Sequence, residues 1–356
     1  MKILLLGEYS AVHKNLKDGL NFLGHEVKIA SSGDGWKNIP RDINIDYSKK
    51  FIPKYLAERI YPWLDIRKFS GYDIVQIMSP DTIFKKFFLN NFYFDILKKN
   101  NKKIFLYAGG SDAYYWRYGR SRLKYGPFDD VLKYDLKSSS HPSENSSYRK
   151  FNEYIANLVD GIIPNMYEYE ISYKGHKNLL KTLPAPMNIE EIKFEENNID
   201  QKITIFHGLI RYGFKGTRHV EEAFKVLAKK YPDELNLIID GHMPLQEYLK
   251  ILSKVNIVID QTNTYSVGIN GLYALALGKV VLGGSESESL KSLEVSSSPV
   301  INIKPNAQSI IEQIETLLEN KDKIKQLSYQ SRKYVENTHG HIKIAEKFIE
   351  TWSEKV

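Results

Sequence analysis

Short apolar runs alternate along the chain with segments in which apolar residues recur every three or four positions. In the first half, the runs span residues 2–7, 27–30, 74–78, 103–107 and 161–164. The segment 10–23 shows the other pattern, with Val12, Leu16 and Leu20 on one face of a helix. Short buried strands separated by amphipathic helices are typical of α/β domains with a parallel sheet. The first half therefore predicts a Rossmann-like, doubly wound domain.

A second series of the same kind begins at Ile203. Its predicted strands are residues 203–206, 235–239, 256–260, 280–282 and 300–303. The acidic, Asn-rich stretch 186–201 separates the two series and predicts a linker. The chain has 356 residues, more than the roughly 250–300 at which one hydrophobic core stops growing. We therefore expect a first domain over 1–185, a second over 202–338, and a helix over 339–356 that packs back on the first.

Composition narrows the classes of function. The chain has 50 Lys and Arg against 43 Asp and Glu, and its net charge of +7 favours anionic partners such as phosphates, nucleotides or a lipid surface. The absence of cysteine excludes disulfides, thiolate metal sites and cysteine nucleophiles. Because the cations are scattered, no nucleic-acid partner is expected. No stretch approaches the roughly 20 apolar residues of a membrane-spanning helix, and a cytoplasmic location is expected.

Aromatic and aliphatic residues of the first half stand among cations. The segment 51–69 combines Ile52, Tyr55, Leu56, Ile60, Trp63 and Phe69 with Lys54, Arg59, Arg67 and Lys68, and residues 84–88 read FKKFF. Aromatic side chains at the headgroup level beside cations are typical of proteins that bind an anionic membrane surface. These segments predict peripheral association with the inner face of a membrane. The alternative is that the aromatic residues form core and the lysines are solvated.

A glycine-rich loop with two cations follows the first predicted strand of the second series. Residues 206–216 read FHGLIRYGFKG, which places Gly208, Arg211, Lys215 and Gly216 between a strand and a helix. Glycines let the backbone approach a ligand, a helix N-terminus attracts an anion, and Arg and Lys neutralise charge, as a pyrophosphate requires. The alternative is a glycine-rich turn with solvated cations. Since Lys215 lies in a loop, we expect its replacement to leave folding nearly unchanged.

A second loop leads from small polar residues into a helix and then a strand, over residues 264–281. Residues 268–271 stand at the start of this helix, where backbone amides can bind phosphate. The alternative is an ordinary helix–strand connection with a glycine cap at Gly278. Just before this loop, residues 260–263 (DQTN) end a predicted strand with polar groups. A strand-end turn explains those four residues as well as a role in a site does.

These two loops, in this order and spacing, resemble those of the retaining GT-B glycosyltransferases, the large family that builds bacterial surface glycans. Arg211 and Lys215-Gly216 match the family's glycine–arginine–loop–lysine–glycine run. The run 274–278 (ALALG) matches the end of its E-x7-E motif. The similarity spans nearly the whole chain and is most specific over residues 203–283.

The resemblance implies a GT-B fold, in which two Rossmann-like domains face each other across a cleft. It implies a metal-independent enzyme without a cofactor, with Arg211 and Lys215 stabilising the leaving diphosphate. The enzyme would move a sugar from a nucleotide-sugar donor to a glycan or lipid-linked glycan acceptor in cell-surface polysaccharide synthesis. The residues expected to bind the donor are Gly208, Gly216, Tyr265, Gly268, Ile269, Asn270, Gly271 and Tyr273. Among them, Tyr265 and Tyr273 replace the two glutamates of the E-x7-E motif.

The first domain contributes the residues that the resemblance assigns to the acceptor. Gly110, Ser111 and Asp112 match a segment of the family that follows a strand, where Asp112 is a catalytic candidate and hydroxyl–carboxylate hydrogen bonds can hold a sugar. The alternative for Asp112 is a helix N-cap. Gly7 and Glu8 belong to the family's acceptor-facing loop, and the Glu8 carboxylate is expected to bind a sugar hydroxyl.

Two alternative functions are left open. A catalytically silent subunit that binds a nucleotide sugar or a partner transferase is favoured by the replacement of both glutamates. A GT-B-fold sugar epimerase is disfavoured, because the paired carboxylates and histidines that such chemistry uses are missing. The histidines form no metal-ligand pattern with nearby carboxylates, and no metal site is expected.

Overall fold

The computed structural model describes residues 1–47, 53–80, 90–135, 141–199 and 201–354. The chain forms two compact units. The first contains Met1–Gly119, Pro142–Pro186 and His341–Val356, and the second contains Arg120–His141 and Met187–Gly340. This division differs from the predicted limits, because residues 120–141 and all of the predicted linker after Pro186 belong to the second unit.

Each unit is built on one sheet. The strands of the first unit are β1 (Lys2–Leu6), β2 (Glu26–Ser31), β3 (Ile43–Asn44), β4 (Ile74–Ile77), β5 (Lys103–Ala108) and β6 (Gly161–Pro164). Those of the second unit are β7 (Ile203–Leu209), β8 (Leu235–Gly241), β9 (Ile257–Ile259), β10 (Val280–Gly283) and β11 (Ile301–Asn302).

The helices connect these strands and cover the sheets. In the first half of the chain they are α1 (Val12–Phe22), α2 (Lys54–Asp65), α3 (Asn90–Lys99), α4 (Arg120–Arg122), α5 (Phe128–Asp130), α6 (Ser146–Leu158) and α7 (Tyr167–Tyr173). Of these, α4 and α5 belong to the second unit. They continue with α8 (Tyr212–Lys215), α9 (Thr217–Lys230), α10 (Leu245–Leu252), α11 (Ile269–Ala276), α12 (Ser287–Ser292), α13 (Ala307–Glu319), α14 (Asp322–His339) and α15 (His341–Ser353).

The first sheet has the strand order β3-β2-β1-β4-β5-β6, and its paired strands run parallel. From β1 the chain adds strands first on one side and then on the other, which is the arrangement of a doubly wound domain. Leu4 and Leu5, which point to opposite faces of β1, are both fully buried, as expected of a sheet covered on both faces. The fold class predicted for this half is therefore confirmed.

The second sheet has the order β11-β10-β9-β7-β8 and is also parallel. The chain passes from β7 to β8 on one side and then to β9 on the other, so a second doubly wound unit is confirmed. Helix α9 shows why the helical spacing predicted it correctly. Its residues Val220, Ala223 and Leu227 are fully buried against this sheet's core, and they stand three and four positions apart.

Two segments pack differently from what chain order suggests. Helix α15 packs against α1 in the first unit, so the first and last helices of the chain are neighbours. The predicted linker is not a free connection. Asn197 is buried, its amide donates a hydrogen bond of 2.8 Å to the Asn256 carbonyl, and its own side-chain oxygen accepts one of 2.8 Å from the Asn256 amide.

Leu227 and its neighbour Val226 offer a direct test of this packing. Leu227→Ala opens a cavity in the core of the second unit and should lower the free energy of unfolding by about 2–5 kcal/mol. Val226 is 47% exposed, and Val226→Ala should change that free energy by less than about 0.5 kcal/mol. Urea unfolding of both variants measures the difference. Equal losses would contradict the assigned faces of α9.

Candidate functional site

The second sheet changes winding direction between β7 and β9. In open α/β sheets, ligands bind outside the carboxyl ends of the strands at such a switch point. The glycine-rich loop 210–216 follows β7, and the loop 260–268 follows β9. The structure therefore brings the two loops singled out in the sequence to the same edge of one sheet.

A buried ion pair joins these two loops. The Lys215 ammonium nitrogen lies 2.8 Å from Oδ1 of Asp260, and the two side chains are 10% and 0% exposed. The second carboxylate oxygen accepts the backbone N–H of Gly268 at 2.6 Å. Lys215 is in the predicted loop but is buried there in an ion pair, which argues against the expectation that its replacement leaves folding nearly unchanged. Removing one partner of such a pair leaves a buried, uncompensated charge, which costs about 3–5 kcal/mol.

The glycines of the two loops make room for the segment 260–263. Gly216 has a left-handed backbone (φ +67°), and a Cβ there would lie 1.9 Å from the Thr262 hydroxyl. A Cβ at Gly268 would lie 2.9 Å from an Asp260 carboxylate oxygen. The same four polar residues, Asp260, Gln261, Thr262 and Asn263, are all buried. Packing against this buried segment thus explains these glycines, and the four residues form more than the exposed strand-end turn that their sequence also allowed.

The other predicted donor residues lie around this pair in different ways. The Arg211 guanidinium lies over the Phe214 ring, 3.7 Å from its centre, and Arg211 is exposed. This guanidinium therefore stacks on an aromatic ring of its own loop. Ile269 and Asn270 form the half-exposed first turn of α11. Gly208 lies within β7, next to its last residue, and a Cβ there would lie 3.3 Å from the Tyr248 ring.

The two tyrosines that replace the motif's glutamates are buried, with exposures of 4% for Tyr265 and 5% for Tyr273. The Tyr265 ring stacks on Tyr125, with 4.7 Å between ring centres. Its hydroxyl accepts the backbone N–H of Lys124 at 3.0 Å. Burial raises the pKa of Tyr265, so the hydroxyl is neutral at physiological pH. Tyr265 thus holds residues 124–125 against the loop 260–268 within the second unit.

Residues 120–135, which we call the strap, also cover the first loop. Asp135 accepts the backbone N–H groups of Gly213 and Phe214 at 2.6 and 3.2 Å. Asp130 accepts a hydrogen bond of 3.1 Å from the Asn263 side chain. These loop amides, which the sequence analysis offered to a phosphate, are therefore bound to a carboxylate of the protein. Nothing in the local sequence pattern identifies this contact.

A buried histidine fixes the spacing of the two strands that carry the site. His207 of β7 is fully buried, and its Nδ1 lies 2.9 Å from the Ile259 carbonyl at the end of β9. That distance requires a proton on Nδ1, so Nε2 accepts from the Thr217 hydroxyl at 2.9 Å. Burial lowers the pKa of His207 to about 4. Among the described residues, no group of three or more histidine or acidic side chains is arranged to hold a metal ion.

The acceptor candidates of the first unit lie at the carboxyl end of β1 and after β5. Glu8 is 5% exposed, and its carboxylate accepts the backbone N–H groups of His13 and Lys14 at 3.3 and 2.8 Å. Burial raises the pKa of Glu8 to about 7, despite these hydrogen bonds. Gly7 begins the same turn, with φ +96°. Glu8 therefore accepts hydrogen bonds from amides in the first turn of α1.

Asp112 makes the contacts expected of a helix cap. It is 2% exposed, and its two oxygens accept the Tyr115 N–H at 2.8 Å and the Tyr173 hydroxyl at 2.5 Å. These contacts favour the N-cap alternative over a catalytic carboxylate. Gly110 beside it has a left-handed backbone, with φ +90°. The Ser111 hydroxyl oxygen is buried without a hydrogen-bond partner among the described residues.

Neither a protein-family model nor a curated protein sequence matches the chain. Solved structures match over its full length. HepE of Anabaena in complex with UDP-glucose has a TM-score of 0.64 at 14% identity, covering 99% of this chain and 100% of that one. Sucrose-phosphate synthase of Thermosynechococcus elongatus has a TM-score of 0.63 at 13% identity, covering 99% of both chains.

A third match is UDP-GlcNAc 2-epimerase of Neisseria meningitidis bound to UDP-GlcNAc. Its TM-score is 0.56 at 16% identity, and the match covers 99% of this chain and 100% of that one. These likenesses, at low identity, concern the fold. Together with the two parallel sheets they show that the chain has the α/β GT-B fold predicted from its sequence.

The neutral state of His207 predicts a loss of stability in acid. The unfolded chain binds a proton on this residue below pH 6.5, whereas the native chain does so only below about 4. Stability contributed above pH 6.5 is therefore lost as the pH falls towards 4, by about 2 kcal/mol between pH 7 and pH 5. His207→Asn should reduce the pH dependence of the unfolding free energy by that amount. Burial lowers the pKa of His13 as well, but this residue is present in both the wild type and the variant, so it does not contribute to their difference. An identical pH dependence in the variant would contradict the assignment.

Proposed function

We propose that this protein is a glycosyltransferase that moves a sugar from a nucleotide-sugar donor to a glycan or lipid-linked glycan acceptor in cell-surface polysaccharide synthesis. The observation that carries the proposal is the Lys215 ammonium, held at the switch point of the second sheet. The full-length likeness to HepE in complex with UDP-glucose supports a nucleotide-sugar donor. Two further likenesses, to sucrose-phosphate synthase and to a glycosyltransferase of Rickettsia africae, support the reaction class.

In the proposed mechanism, the bond between the sugar and the donor diphosphate breaks, and the acceptor oxygen forms the new bond. Lys215 and the amides that begin α11 at Asn270 stabilise the negative charge that develops on the diphosphate. Arg211 contributes to the same field from the exposed side of the loop. The acceptor hydroxyl gives its proton to the departing phosphate oxygen on the same face. This course retains the anomeric configuration, as the resemblance implies, and uses neither a metal nor a cofactor.

On the acceptor side, we propose that Ser111 is the polar group that contacts the acceptor. Its hydroxyl is buried without a partner in the described part of the chain, and it follows the end of β5. Asp112, satisfied by Tyr115 and Tyr173, positions this turn. Gly7 and Glu8 shape the neighbouring turn after β1.

Two experiments with purified protein test the proposed function. A thermal-shift panel of UDP-, GDP- and CMP-sugars identifies the donor, since a ligand at 100 times its Kd adds about 2.7 kcal/mol of stability. Mass spectrometry of the sugar products then separates the reaction classes. Transfer to a glycan acceptor supports the proposal, and an epimerised nucleotide sugar supports the epimerase that the Neisseria likeness suggests. Binding without any product identifies a silent subunit, which the buried tyrosines at the motif's glutamate positions would favour.

We also propose that the first unit binds the cytoplasmic face of a membrane. Leu56, Ile60 and Leu64 form a stripe along α2 and are 40%, 45% and 66% exposed. Phe92 of α3, 59% exposed, lies 6.0 Å from the Trp63 ring of α2. Exposed cations accompany the stripe: Lys54, Arg59, Arg67 and Lys68. No described helix combines the length and the apolar run needed to cross a bilayer.

The structure does not place every residue of the two segments predicted to bind a membrane on this surface. Phe69 is fully buried, so for this residue the core alternative is correct. Residues 51 and 52, and the run 84–88, lie outside the described residues. The surface argument therefore rests on α2 and α3.

Removal of the apolar stripe should weaken membrane binding. The triple variant Leu56→Ser/Ile60→Ser/Leu64→Ser should bind phosphatidylglycerol vesicles at least about tenfold less tightly, since each apolar side chain contributes roughly 1 kcal/mol when buried in lipid. Co-sedimentation measures the change. A matched control on the second unit is Val226→Ser/Tyr329→Ser, which replaces two exposed apolar residues. Equal binding of wild type to phosphatidylglycerol and phosphatidylcholine vesicles would refute the role of the cations.

A further inference from the structure

Asp260 is a buried acid at the centre of the candidate site. It follows β9 directly, at the switch point of the second sheet, and its side chain has no exposed surface (0%). One carboxylate oxygen accepts from the Lys215 ammonium at 2.8 Å. The other accepts from the Gly268 backbone N–H at 2.6 Å. A single carboxylate therefore holds a cation of the first loop and an amide of the second.

Two further titratable side chains face the pair from the elements packed around it. His207 of β7 is neutral, because burial lowers its pKa to about 4. The Tyr248 hydroxyl of α10 stays protonated, because burial and the nearby charge of Asp260 raise its pKa well above the usual value. Neither group is charged at physiological pH, so neither neutralises the carboxylate. Lys215 is therefore the cation that balances Asp260.

The space around this carboxylate is closed by backbone. A Cβ at Gly268 would lie 2.9 Å from its Oδ2, and a Cβ at Gly271 would lie 3.1 Å from the same atom. The carboxylate that accepts from the Lys215 ammonium is thus closely packed against the backbone of these two glycines.

We propose that Asp260 is the positioning residue of the donor site. It holds the Lys215 ammonium at a fixed distance from the N-terminal end of α11, so that both groups act on the same diphosphate. This inference rests on the proposed function, in which those two groups bind the donor. A free lysine side chain would lose conformational entropy each time the donor bound, and the ion pair removes that cost in advance.

The test measures the affinity of the full chain for three nucleotides by calorimetry. The probes are the diphosphates UDP and GDP and the monophosphate CMP. Asp260→Asn preserves size and an oxygen for the Gly268 N–H but removes the charge that holds Lys215. Its affinity for the nucleotide that binds wild type should fall about tenfold or more. The donor KM should rise while the acceptor KM stays unchanged. Asp240→Asn, at an exposed aspartate of β8, is the matched control and should leave both KM values unchanged.

The double variant Lys215→Met/Asp260→Asn separates positioning from a purely structural role. Because no unpaired charge stays buried, its melting temperature should return towards the wild-type value. We expect nucleotide affinity to remain low in this variant, and this comparison holds even where Asp260→Asn alone folds poorly. Recovery of affinity in the double variant, or unchanged or tighter binding by Asp260→Asn, would overturn the inference and leave glycosyl transfer standing. A wild-type protein that binds none of the three probes overturns the inference and the proposed function together.

Discussion

The second unit is organised around one buried charge pair, Lys215 with Asp260. A charged pair that is largely withdrawn from solvent is favourable only when its remaining hydrogen-bonding capacity is satisfied. Here the second carboxylate oxygen has the Gly268 amide, and the glycines of the neighbouring loop leave the space that the carboxylate needs. Gly268 and Gly271 of the second loop region are therefore explained by this pair, whereas Gly216 of the first loop leaves space for Thr262 and Asn263. A phosphate-binding loop and a well-packed polar core can have the same glycines for different reasons.

The strap extends the same polar core outwards. The Asp130 carboxylate accepts a hydrogen bond from the Asn263 side chain. The Asp135 carboxylate accepts two from backbone amides of the loop that contains Lys215. The loop is therefore held from the inside by Asp260 and from the outside by the strap. Since hydrogen bonds to ionised groups are stronger than neutral ones, this loop is fixed by tertiary contacts even though it has glycines and a single short helical turn.

The fold could be predicted from the sequence because its signals are local. Helix α9 and the strands around it follow from apolar spacing alone, and strand ends place both loops at one edge of the sheet. The contacts inside the site are not local. Lys215 and Asp260 are 45 positions apart, and Asp135 is 78 positions from the amide it binds. The four residues DQTN at the end of a strand do not reveal in sequence that they are buried. The sequence around Asp112 is equally compatible with a helix N-cap and with a catalytic carboxylate.

The chain order of the two units has a consequence for synthesis. The first unit includes α15, which packs on α1 and leaves the ribosome after all of the second unit. Its sheet can form early, but the face of α1 that α15 covers stays open until residues 341–353 have been made. The second unit begins with the strap, which is separated from the rest of that unit by α6, β6 and α7 of the first. Each unit thus contains segments that are separated in sequence by part of the other, and the first unit cannot be completed before the second has been made.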